Sequence, residues 1–90
     1  MLKITNYQAP CTEDLTKLKV ELGYTGEQMA ELVGLAGNNQ WRKYTGGTQP
    51  REMNFHMLFY LAAKMTLSDD QIINVLDKMQ EIGSSFKIEK

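Results

Sequence analysis

The stretch Thr25–Pro50, TGEQMAELVGLAGNNQWRKYTGGTQP, decides how this 90-residue chain is read. Thr25 and Gln28 stand at the spacing that lets a threonine and a glutamine satisfy each other's orphan backbone donors at a helix start. Met29, Ala30, Leu32 and Val33 form the inner face of that helix, and Gly34 tolerates the left-handed backbone that ends it. A further helix is predicted within Asn38–Tyr44, with Trp41 and Tyr44 three residues apart on its core side. Thr45-Gly46-Gly47-Thr48-Gln49-Pro50 reads as a loop. The stretch therefore predicts helix, tight turn, helix. Ala30 is the small residue where the two helices approach, and Leu35, Trp41 and Tyr44 seat the later one on a core. In such a unit one helix lies across the DNA backbone and the next faces the major groove.

Outward from this unit, the spacing of Leu15, Leu18 and Leu22 predicts a first helix over 13–22. Thr12 is its expected cap, Glu13 and Asp14 suit its positive end, and Gly23 stops it. A fourth helix is expected over about 53–65. Phe55, Leu58, Phe59, Leu61, Ala62 and Met65 make it apolar almost all round, which predicts the central helix of the core. A fifth begins at Ser68, where Ser68 and Gln71 repeat the reciprocal cap, and closes at Gly83. Residues 1–9 and 86–89 alternate weakly. They read either as short terminal strands, paired with each other or with a second chain, or as frayed ends.

Ninety residues make one domain, and a chain of this size buries roughly 60–65% of its unfolded surface. Apolar residues are 42% and charged residues 23%, a globular composition. No apolar run approaches the length of a membrane span and no secretion signal opens the chain, so a cytoplasmic protein is expected. Cys11 is the only cysteine, without partners for a disulfide or a zinc site, and is read as an inert thiol in a reducing compartment. The net charge of −1 argues against a nonspecific nucleic-acid coat. It leaves room for a specific DNA binder, because local surface charge governs contact. Between Leu32 and Arg51 stand three cations, Arg42, Lys43 and Arg51, and no acid; the acids gather before and after.

At this point the chain resembles the lambda-repressor-like, Xre/Cro family of helix-turn-helix proteins, over about residues 13–66. The resemblance rests on Leu18 and Leu22, on Gln28-Met29-Ala30-Glu31-Leu32-Val33-Gly34-Leu35, on Trp41-Arg42-Lys43-Tyr44-Thr45-Gly46-Gly47, and on Pro50 ahead of Leu58 and Ala62. The second of these runs looks like a variant found among bacterial and phage-associated regulators. The family implies an all-α bundle of four or five helices, operator binding as a dimer, and a regulatory role. Here Trp41 stands one residue later after the turn glycine than the family usually has, and Ala36-Gly37 replaces its turn serine or threonine.

Candidate roles follow from side-chain chemistry. Asn38, Asn39 and Gln40 fall where groove-reading residues project in the family, and their amides pair with adenine. Asn38 or Asn39 is equally a candidate helix cap. Arg42 suits guanine or a phosphate, and Lys43 a phosphate. Gln28, at the start of the earlier helix, can grip a phosphate, and Thr45, Thr48 and Arg51 can meet the backbone on leaving the groove. Trp41 and Tyr44 are read as core anchors rather than base-stacking platforms. The expected partners are double-stranded DNA and a second copy of the chain, through helix five (Ile72, Ile73, Leu76, Met79) or the terminal strands. The alternative is a helix-turn-helix scaffold turned to protein binding, such as an antirepressor or an antitoxin-like partner.

Other chemistries find little support. His56, the only histidine, is read as packing beside helix five rather than as a ligand or base. No nucleophilic set presents itself, and Gly46-Gly47 lacks the lysine of a phosphate loop. No catalytic residue, cofactor or metal is expected. Met53, Met57, Met65 and Met79 are read as core filling ahead of an adaptable partner surface.

Overall fold

The computed structural model describes residues 2–89 and is built from five helices. They are α1 (Thr12–Leu22), α2 (Gly26–Val33), α3 (Asn38–Thr45), α4 (Phe55–Thr66) and α5 (Asp69–Ile82). Among the described residues there is no strand. The terminal strands predicted above are absent from that part: Leu2 is exposed, and both alternating segments are too short to hold a sheet by themselves. The N-terminal arm is instead fastened by a side chain. The Tyr7 hydroxyl donates to the Met53 carbonyl at 2.6 Å, and its ring meets Phe55 edge-on at 5.5 Å.

Local chemistry sets most helix ends. Thr25 N–H donates to Gln28 Oε1 at 2.8 Å and Gln28 N–H returns to Thr25 Oγ1 at 3.1 Å, the reciprocal cap expected of that pair. Ser68 and Gln71 do the same for α5. At the start of α1 the cap position falls on Cys11, one residue before the expected Thr12. Asp14 Oδ2 accepts the Cys11 N–H at 3.0 Å and draws Thr12 into the first turn. α2 ends on Gly34 at φ 85°, with Gly34 N–H bonded to Glu31 and Leu35 N–H to Ala30, so two of its last carbonyls are satisfied. Glycine serves twice there, because the Tyr60 ring sits 3.2 Å from where a Cβ would stand.

The core is small: Leu15, Met29, Ala30, Val33, Trp41, Tyr44, Met53 and Leu61, fringed by Leu18, Leu22, Leu32, Leu35, Met57 and Leu58. Trp41 and Tyr44 are both buried, as their spacing predicted, and the Tyr44 hydroxyl points at Met57 Sδ, 3.4 Å away. α3 lies against α2 and α1, and α4 packs on α2. Lys64 reaches from α4 to the Glu31 carbonyl at 3.2 Å, closing another loose end of α2.

Three expectations about the C-terminal half are corrected. α4 is not the central helix: only Leu61 is buried on it, and Phe59, Tyr60 and Met65 are exposed. The reason lies in α5, which contributes no buried residue and does not cover that face. The radius of gyration of 14.5 Å exceeds the roughly 12 Å of a close-packed chain of this length, as a projecting helix requires. His56 is exposed on α4 and not partly buried as expected. The methionines divide: Met53 is buried and Met57 borders the core, whereas Met65 and Met79 face outward. No helix among the described residues is long and apolar enough to cross a membrane.

Candidate nucleic-acid interface

α3 owes its position to its buried face. Trp41 and Tyr44 fix it to the core, which turns Arg42 and Lys43, the residues between them, outward. The loop after α3 is tied back by the Arg51 N–H, which donates to the Lys43 carbonyl at 2.7 Å. Arg51 is thereby returned to the helix the chain left six residues earlier.

Two concavities flank Arg42. One, of about 530 Å³, is lined by Asn39, Arg42, Lys43, Gly46, Gly47, Gln49 and Arg51. The other is lined by Thr16, Lys19, Gly26, Asn38, Trp41, Arg42 and Thr45. Neither has a carboxylate in its wall. The ion pairs among the described residues are Lys17–Glu21 and Lys78–Glu81, so Lys19, Arg42, Lys43 and Arg51 share this surface without an acidic partner. On a chain of net charge −1, a four-cation face is a local concentration of positive potential.

The structure brings together six of the nine residues singled out by sequence. Asn39, Arg42, Lys43 and Arg51 line the first concavity, and Asn38 and Thr45 join Arg42 in the second. Gln28, Gln40 and Thr48 line neither. Gln28 is exposed, but its amide oxygen is engaged by Thr25, and Gln40 is half-buried. Asn38 is half-buried and rests against Gly26. Neither asparagine caps α3: the cap position is Gly37, and the Asn38 N–H is taken by Glu27 Oε1 at 3.0 Å. The caps of α2, α4 and α5 all come from within their own first turn, whereas this one comes from eleven residues back.

Sequence reasoning missed Thr16, Lys19 and Gln49. Gln49 was already in view as a loop residue among the cations. Thr16 and Lys19 carry no local signal; they reach the site only because α1 packs on α3. Comparison with protein-family models, curated proteins and solved structures finds no match to this chain.

Proposed function

We propose that this chain is a sequence-specific DNA-binding regulator of the lambda-repressor-like type, acting as a dimer with α3 in the major groove. The observation that carries the reading is the pair of concavities flanking Arg42, whose walls hold no carboxylate, with four cations outside any ion pair and the exposed amides of Asn39 and Gln49 on and beside a short helix. A helix is about 10–12 Å across with its side chains, and the major groove is about 12 Å wide. Lys19, Lys43 and Arg51 suit phosphates, which set register and affinity. Asn39 and Arg42 suit base edges, which set sequence. Two copies would present their helices about 34 Å apart, one turn of B-DNA.

Selection of bound sequences from randomised duplex DNA at two salt concentrations tests this. A palindromic consensus with salt-sensitive affinity is the expected result. Salt-sensitive binding without a consensus would replace operator recognition with an architectural role. The absence of binding at low salt would favour a second reading, a scaffold for protein contact. One observation supports that second reading: α4 exposes Phe59, Tyr60 and Met65, and α5 exposes Val75, Met79 and Ile82, large apolar side chains without cover among the described residues.

A further inference from the structure

The first turn of α2 and the start of α3 are clasped by features that helix formation alone does not require. Glu27 Oε1 accepts the Asn38 N–H at 3.0 Å. The same carboxylate lies against Gly37, about 3.5 Å from where a Cβ would stand. In return, the Asn38 side chain lies so close to Gly26 that a Cβ there would overlap its Oδ1. Gly26 opens a notch that the Asn38 side chain fills, and the Glu27 carboxylate lies in ordinary contact with Gly37, so each helix end touches the other through a polar side chain. The turn between them, Leu35-Ala36-Gly37, is short and has no apolar cross-brace beyond Leu35, so this clasp fixes how α3 leaves it.

A carboxylate at the leading end of α3 is a cost for any DNA binder, because it repels phosphates. It is understandable if its job is geometric. We propose that Glu27 is a positioning residue for base recognition, acting through the Asn38 backbone. This rests on the DNA-binding reading. The clasp sets the angle at which α3 enters the groove, and so which base edges Asn39 and Arg42 reach. A phosphate contact from Lys19, which lies on α1, does not depend on that angle. Loosening the clasp therefore lowers specificity and spares nonspecific binding.

The test compares affinity for a selected duplex and for a scrambled one in the wild type, Glu27→Gln and Glu27→Ala. Glu27→Gln keeps an acceptor and should hold the specificity ratio within about twofold. Glu27→Ala should lower it about tenfold, the loss of roughly one bidentate base contact, with scrambled-duplex affinity retained. An unchanged ratio in Glu27→Ala overturns the proposal, as does an equal loss on both duplexes. Should Glu27→Ala not fold, Gly26→Ala displaces Asn38 while leaving the carboxylate, and an unchanged ratio there overturns it equally. Amide exchange at Asn38 reads the clasp without DNA: slow in the wild type and Glu27→Gln, fast in Glu27→Ala. A wild type that selects no sequence, with Asn38 protected, would instead locate the failure in the DNA-binding reading, and the positioning role would fall with it.

Discussion

Truncating Trp41 to alanine probes the fold and the site at once. The ring is 1% exposed, sits among the buried residues of α1, α2 and α4, and is the largest of them. Trp→Ala in a core costs about 3–5 kcal/mol, of which part is the empty space left behind. One edge of this site borders the concavity that holds Thr16, Lys19 and Thr45, so water can enter the space from a polar side. That places the cost toward the lower end, about 3 kcal/mol. For a domain of this size each kcal/mol lowers Tm by roughly 4–8 °C, so a fall of roughly 12–24 °C is expected. Thermal unfolding followed by circular dichroism measures it, and urea unfolding should show a lower midpoint at an unchanged slope. A variant with wild-type Tm that has lost only DNA binding would refute the reasoning, and would mean that the indole stacks on bases instead of filling the core.

Further outcomes follow from the same structure. Replacing Arg42, Lys43 or Arg51 singly by alanine should weaken duplex binding without lowering Tm; for a phosphate contact the slope of log affinity against log salt falls by about 1 per copy in the complex. The Cys11 side chain, and then its backbone N–H, hold the Asp14 carboxyl below its ordinary value. A depressed folded pKa gives stability above the unfolded value of about 3.9, lost as pH falls through the folded one. The Tm advantage of wild type over Asp14→Asn should therefore be present at neutral pH and shrink below about pH 4; an advantage that stays constant into acid would contradict the assignment. Sedimentation should show a concentration-dependent dimer that Val75→Glu and Ile82→Glu abolish while leaving helix content intact, since both residues are half or more exposed. A wild type that stays monomeric at high concentration would sink the dimer.

The helix pattern was legible where its causes are local. Thr25 with Gln28, Ser68 with Gln71, and Gly23, Gly34 and Gly83 mark their helix ends by chemistry confined to one turn. Trp41 and Tyr44 announced the buried face of α3 by spacing alone. What could not be read depends on neighbours distant in sequence. The apolar content of α4 promised a central helix, but whether a face is covered is decided by where α5 lies, and no residue of α4 records that. The cap of α3 comes from Glu27, and the dedicated residue at its own cap position is a glycine with no side chain to offer. Lys19 belongs to the cationic surface through helix packing, although it stands twenty-three residues before Arg42. The C-terminal tail also returns to α5: Ile88 and Glu89 line a groove with Ile72, Ile73 and Leu76. Part of the helix-five surface expected to meet a second copy is thus shared with the chain's own end, which leaves Val75, Met79 and Ile82 as the freer contact.

An NMR titration of the labelled protein with the selected duplex shows directly which face meets DNA. Chemical-shift changes are expected to concentrate at Lys19, Asn39, Arg42, Lys43, Gln49 and Arg51, and to fade as salt is raised. Changes centred instead on Phe59, Val75, Met79 and Ile82, or no changes at low salt, would contradict this expectation and leave the cationic surface around α3 without the role proposed here.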